Sequence, residues 1–258
     1  MDIRLSGRKA LVTGGSKGIG LAIACTFAEA GADVAIMARG QAALDEAVPA
    51  IRARRGGQVL AIPCDVRRAD EINAGFAEVT RVFGHVDILV NNAGTSQAHA
   101  FMTVTDADWQ DDIDLKLFAA IRLIRLAWPG MRERQWGRII NVLNIGAKAP
   151  RPASVPTSVT RAAGMALTKA LAGEGAPCGI LVNALLVGFI ESDQWVQRAK
   201  KLGVSLPEFL ADIGKQVPMG RVGTAQEFAN VACFLASDAA SYVTGTALNV
   251  DGDRCPVV

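Results

Sequence analysis

"KALVTGGSKGIGLAIACTFAEAG", Lys9 to Gly31, decides the fold. Lys9 to Thr13 is a short apolar run that reads as a strand, and a glycine turn follows it at once. From Gly18 the apolar residues recur at helical spacing until Gly31, where a helix should stop. In such a unit Gly14 allows the tight turn, Gly18 lets the backbone approach a pyrophosphate, and Gly20 permits close helix packing. The unpaired N–H groups and positive dipole of the helix start then favour phosphate. Strand, loop and helix in that order make the glycine triplet a dinucleotide-binding signal rather than an isolated turn.

The same alternation continues outward from this unit. "ADVAIMAR" (32–39), "VLAIPCDV" (59–66), "VDILVNNAG" (86–94), "GRIINVLN" (137–144), "GILVNALLVG" (179–188) and "GTALNVDG" (245–252) read as further strands. Helical patterns fall between them at 41–56, 69–84 and 108–131, with Gly56 and Gly84 as further stops. Regular alternation of this kind implies right-handed crossovers, so the expected class is α/β: a single doubly wound parallel sheet of about seven strands, with helices on both faces. Residues 191–217 break the pattern and read as two short amphipathic helices inserted before the last helix and strand.

Half of the 258 residues are apolar, enough for a sizeable core in one domain. A net charge of +2, with its cations spread along the chain, gives no footprint for nucleic acid or an anionic membrane, so the expected partner is a small-molecule substrate. The five cysteines are scattered without CxxC spacing, as expected of reduced thiols in a cytoplasmic protein that holds no metal. No run approaches the length of a membrane span, and the first residues do not read as a signal peptide.

At the end of the second strand an acidic residue would suit the ribose 2′-OH of NAD(H), whereas a cation suits a 2′-phosphate. Arg39 stands there, with Lys17 in the glycine loop, and both point to NADP(H) in preference to NAD(H).

With these elements placed, the chain resembles the short-chain dehydrogenase/reductase family from end to end. The resemblance lies in "TGGSKGIG" (13–20), Asp65 in "CDV", "NNAG" (91–94), "GRIINV" (137–142), "LTKALAGEGAPCGILVNAL" (167–185) and "GRVGTAQEFANVACFLASDAASYVTGTALNVDG" (220–252). It is most similar to the branch of 3-oxoacyl-carrier-protein reductases and related sugar and alcohol dehydrogenases. The resemblance implies a single Rossmann-type domain over residues 1–258 and a homotetramer or homodimer. It implies Asp65 near the adenine, and Asn91, Ala93 and Gly94 beside the cofactor. Gly14, Ser16, Lys17, Gly18, Ile19, Gly20, Arg39, Val66, Arg161, Gly188 and Ile190 complete the implied cofactor set.

The family's chemistry rests on a helix Asn, a Ser, and a Tyr and Lys four apart. Aligned by their flanks, these positions fall on Lys116, Asn144, Thr157 and Arg161, so each is expected to be substituted. Tyr242 is the only tyrosine and lies just before the last strand, which leaves the site without a phenol. An aliphatic hydroxyl is a far weaker acid than a phenol and cannot replace it as a proton donor near neutral pH. Val187 and Asp253 are two further departures, where the family usually has Pro and Gly.

Three readings follow. In an atypical oxidoreductase on a small carbonyl, alcohol or imine, Lys116 donates the proton, its pKa lowered by Arg161 and partial burial, while Asn144 holds the substrate oxygen and Arg161 the cofactor ribose. In a non-redox enzyme of elimination, isomerisation or bond cleavage, Lys116 and Arg161 stabilise an anionic intermediate. In an inactive NADP(H)-binding sensor or partner subunit, the substitutions reflect lost catalysis. His99, on a loop that the family points at the substrate, reads as an acid/base or, in preference, as a solvent-facing histidine, and His85 as structural. Residues 191–217 read as a substrate lid in which Trp195 and Phe209 line a pocket or anchor the helices, while Glu191 and Asp193 touch substrate or, in preference, cap its first helix.

Overall fold

The computed structural model describes residues 3–54 and 57–258; Gly56, expected to stop a helix, lies outside them. The chain runs β1 (Lys9–Thr13), α1 (Gly18–Glu29), β2 (Asp33–Ala38), α2 (Gln41–Arg52), β3 (Val59–Pro63), α3 (Ala69–Phe83), β4 (Ile88–Asn91) and β5 (Ala98–His99). It continues through α4 (Asp106–Ile113), a π-helical turn (Asp114–Phe118), α5 (Ala119–Glu133), β6 (Gly137–Asn144), β7 (Val155–Pro156), α6 (Thr157–Gly175) and β8 (Ile180–Val187). The last elements are α7 (Asp193–Leu202), α8 (Leu206–Gly214), α9 (Ala225–Ala236) and β9 (Ala247–Val250).

Seven strands form one parallel sheet in the order β3-β2-β1-β4-β6-β8-β9, with helices on both faces. The period-two alternation of each strand divides the core between these faces. Ala10 and Val12 of β1 pack with Ile23, Phe27, Leu44 and Phe228 from α1, α2 and α9. Leu11, between them, packs on the opposite face with Ile72, Phe76 and Leu123 from α3 and α5. Phe27 and Phe228 are fully buried, and each such side chain contributes about 1.5–3 kcal/mol.

The expected helix over 108–131 is one helical run carrying a defect: α4 passes through the π turn into α5. Thr105 starts it with a capping box closed by Asp108. Gly31 and Gly84 follow α1 and α3 with φ of +97° and +82°, as helix stops require. The β5–β7 ribbon, two residues per strand, had no signal in the sequence.

The two expected helices of 191–217 are α7 and α8. Trp195 is held edge-on to Phe189 at 5.5 Å and lies 5.8 Å from Phe209, and its indole N–H donates to Ile190 O at 2.7 Å. Phe209 is buried, so these rings anchor the helices. The capping expected of Glu191 is not seen: the N-cap of α7 is Ser192, which makes no side-chain cap bond, and Glu191 is exposed one residue too early. The Asp193 side chain lies outside what the structure describes. Asp253 adopts φ +68°, the region in which glycine is at ease.

Candidate active site

Every expected site residue lies at or beyond the carboxyl end of a sheet strand, or on the helices beside that edge, where ligands bind in open α/β sheets. The loop after β1 is built as its glycines require. Gly14 has φ +65° and Gly18 φ +53°. A Cβ on Gly20 would stand 2.1 Å from Gly14 O, so the helix closes on the turn only because that residue is glycine. At Gly18 the nearest atom to such a Cβ would be Ser192 Cβ at 3.8 Å, which leaves this face of the backbone open. Ser16, Lys17 and Ile19 complete the loop, with Lys17 exposed.

Asn92, absent from the sequence-based set, braces the loop: its Nδ2 donates to Thr13 O at 2.9 Å and to Gly14 O at 3.3 Å. Thr13 Oγ1 in turn accepts from the amides of Asn92 and Ala93, both at 3.0 Å. The open N-terminus of α1 and the uncrowded Gly18 fit a pyrophosphate.

Arg39 is exposed one residue past β2. Beyond β3, the Asp65 carboxylate is gripped by Arg67 through Nε at 3.1 Å and a second guanidinium nitrogen at 2.6 Å. Those hydrogen bonds, the Arg67 charge and nearby Arg39 hold its pKa below the ordinary value against the effect of burial. Val66 and Ile190 have buried side chains packed into the core. Asn91 Nδ2 donates to Asn141 Oδ1 at 2.9 Å, while Asn91 Oδ1 is buried without a partner. Gly188 packs on Asp251, where a Cβ would stand 2.4 Å from its Cβ.

Lys116, Thr157 and Arg161 converge around Gly94. Lys116 projects from the π turn, an irregularity frequent at functional sites, and its side chain is 1% exposed. It donates to Thr157 Oγ1 at 2.8 Å and forms a short ion pair with Asp112. Asp112 is fully buried and also accepts from Thr160 Oγ1 at 2.6 Å. Burial, then the Arg161 charge, lowers the Lys116 pKa to about 8, against the hydrogen bond and charge of Asp112.

Arg161 donates to Val142 O at 2.7 Å, and its Nε is buried without a partner. A Cβ on Gly94 would stand 2.6 Å from an Arg161 guanidinium nitrogen and 3.7 Å from Lys116 Cγ. Burial lowers the Arg161 pKa to about 10. Asn144, the last residue of β6, has a buried Oδ1 without a partner. Asp112 is not among the residues expected from the sequence. Its one signal was the helical i, i+4 spacing to Lys116.

Thr157 Oγ1 also accepts from the Gln97 amide at 2.9 Å. A hydroxyl has two acceptor positions and one hydrogen. Both acceptor positions are filled, by Gln97 and Lys116, and the hydrogen has no acceptor among the described residues.

His99 is exposed and meets only Gln97 Oε1, at 3.2 Å. His85 contacts buried Asp87 at 3.1 Å beside the amino end of β4, far from the carboxyl edge. The cysteines are all free thiols, and among the described residues there is no cluster of metal-ligating side chains and no helix long and apolar enough to cross a membrane.

The family model described as enoyl-(acyl carrier protein) reductase matches residues 14–252. Staphylococcus aureus 3-oxoacyl-[acyl-carrier-protein] reductase FabG is 38% identical over 245 residues, covering 95% of this chain and 97% of that protein. The L-sorbose reductase of Gluconobacter frateurii, solved with NADPH and L-sorbose, superimposes with a TM-score of 0.96 at 37% identity over the full length of both chains. A short-chain oxidoreductase of Pseudomonas aeruginosa PAO1, described as containing an atypical catalytic center, superimposes with a TM-score of 0.92 at 37% identity, covering 99% of this chain and 100% of its own. Motifs, sheet order and full-length similarity agree, and the chain belongs to the short-chain dehydrogenase/reductase family of oxidoreductases.

Proposed function

We propose that this protein is an NADP(H)-dependent reductase of a small carbonyl compound in which Lys116 supplies the proton and Thr157 passes it on. The observation that carries the reading is the Thr157 hydroxyl, which accepts from Lys116 at 2.8 Å and from the Gln97 amide at 2.9 Å while its own hydrogen stays uncommitted. When bound, NADPH supplies the hydride to the carbonyl carbon. The substrate oxygen takes the Thr157 hydrogen as Thr157 takes one from the Lys116 ammonium. Threonine therefore never has to release a proton alone, which its high pKa would forbid. Lys116 is left as a neutral amine and regains a proton before the next turnover.

Asp112 holds Lys116 in place and keeps it protonated near neutrality, and Arg161 opposes it. The Asn144 carboxamide hydrogen-bonds the substrate oxygen. Arg161 and Asn91 offer a buried donor and a buried acceptor, each without a partner, toward the nicotinamide ribose. Lys17 and Arg39 hold the 2′-phosphate, and the amides of Gly18, Ile19 and Gly20 the pyrophosphate.

Residues 1–258 act as one Rossmann-type domain in which α7 and α8 form a lid that excludes water from the reaction. Free thiols and the lack of a membrane-spanning helix among the described residues suit a cytoplasmic enzyme. The half-exposed apolar Phe118 and Val159, on the π turn and α6, suit the homodimer or homotetramer of the family.

The test is a fluorescence titration with NADPH and NADH, then a carbonyl panel that includes L-sorbose. NADPH should bind at least tenfold tighter than NADH. Arg39→Asp should remove that preference, since a hydrogen bond to a charged group is worth about 1.5–3 kcal/mol. Equal affinity for both nucleotides, unchanged in the variant, would refute the cofactor assignment.

A further inference from the structure

The C-terminal turn brings a further cation beside the loops that leave β6 and β8. Arg254, four residues past β9, lies with Cζ 4.2 Å from the centre of the Phe189 ring, on the loop leaving β8. Its neighbour Cys255 is buried, with Sγ 3.9 Å from Ile145 O, one residue beyond Asn144. Gly252 packs on Val217 and Met219, at the end of the segment that carries α7 and α8. Arg254 is thus wedged between the loops leaving β6 and β8, beneath the end of the lid.

Its guanidinium is poorly satisfied there. Nε is buried without a partner, and one terminal nitrogen reaches only Gln216 Oε1, at 3.4 Å. Asp251, the nearby carboxylate, is used by the backbone: Oδ1 accepts from the Asp253 amide at 3.2 Å and Oδ2 from the Cys255 amide at 2.7 Å. Arg151 is exposed on the loop leaving β6, in a tight turn where Ala153 has φ +55° and Ser154 Oγ donates to Arg151 O at 2.5 Å. Neither arginine has a carboxylate ion-pair partner among the described residues. Burial, then the charge of Arg151, lowers the pKa of Arg254, and the charge of Asp251 opposes them.

The buried, unpaired Nε of Arg254 costs stability unless an acceptor reaches it, whereas exposed Arg151 is solvated. The planar guanidinium fork matches carboxylate and phosphate oxygens in paired hydrogen bonds. We propose that Arg254, beside the β6 loop that carries Arg151, anchors an oxyanion subsite, and that the carbonyl substrate carries a carboxylate or phosphate group which this subsite holds. The inference rests on the reductase reading and adds the substrate class to it. Phe189, under Arg254, fixes the guanidinium plane, and the lid end at Gln216 closes over it.

The experiment compares matched pairs: acetoacetate against its methyl ester, and dihydroxyacetone phosphate against dihydroxyacetone. Both kcat/KM with NADPH and calorimetric binding without nucleotide are measured, for the native chain, Arg254→Gln and Arg151→Gln. The native protein is expected to favour the anionic member of at least one pair by about a hundredfold. The pair concerned tells carboxylate from phosphate. Arg254→Gln should lose most of that preference through KM while keeping NADPH affinity and turnover of the neutral member.

If no carbonyl compound is reduced, the reductase reading fails. Calorimetric binding of acetoacetate or dihydroxyacetone phosphate that is lost in Arg254→Gln still supports the subsite. Equal handling of charged and neutral members, or native binding that Arg254→Gln leaves unchanged, overturns the subsite even when reduction is robust. So does the absence of both turnover and binding.

Discussion

Asp112→Asn keeps the shape of the buried network and removes its only carboxylate. Lys116 sits at about 8 because burial and Arg161 push it down while Asp112 holds it up. At an effective dielectric of about 20, a unit charge about 4 Å away is worth about 4 kcal/mol, or roughly three pKa units. Loss of Asp112 should therefore carry Lys116 to roughly 5 and reduce its ammonium fraction at pH 7 from about nine in ten to about one in a hundred. The assay is the initial rate of carbonyl reduction at saturating NADPH from pH 5 to 9.5. The native enzyme should be level below pH 7 and decline with a midpoint near 8, since reduction needs the ammonium form. In Asp112→Asn the rate at pH 7 should fall on the order of a hundredfold, mainly in kcat, and recover as the pH is lowered. A variant with an unmoved midpoint, or with the same loss at every pH, would refute the reasoning and leave Asp112 as a packing residue.

Three further outcomes follow from the same geometry. Thr157→Ser should keep activity within about tenfold, while Thr157→Val, which removes the relay hydroxyl, should lose about 10²–10⁴-fold in kcat with NADPH affinity unchanged. Because the folded-state pKa of Lys116 is depressed from 10.5 to about 8, the unfolded chain binds the extra proton between those values. The Lys116 contribution to stability should then rise by about 1.4 kcal/mol per pH unit from 8 to 10.5, and the difference between native and Lys116→Met melting curves at pH 7.5, 8.5 and 9.5 should show it. Asp253→Gly should stabilise by up to about 1 kcal/mol in urea denaturation, since relief of a left-handed residue outweighs the added chain entropy.

The sheet was legible because each of its seven strands is an apolar run bounded by a turn, and the glycine loop because Gly14 and Gly18 take positive φ and Gly20 leaves no room for a Cβ. Lys116, Thr157 and Arg161 could be placed together by their spacing from flanking motifs, and the structure brings them within reach of one another around Gly94. Asp112 was not legible. It reads as one of several acids on a polar helix, and its burial follows from the docking of α4 against α6, where Thr160 meets it. Arg254 was hidden for a related reason: a cation in a C-terminal tail gains meaning only when the tail folds back to Phe189. The cap expected of Glu191 failed because the helix start slipped past it to Ser192.

The measurement that tests the central claim most directly is single-turnover carbonyl reduction by Lys116→Met preloaded with NADPH. If Lys116 is the proton source, the chemical step should slow by about 10²–10⁴-fold while nucleotide affinity stays at the native value. Reduction at the native rate would contradict the account and move the proton to another group.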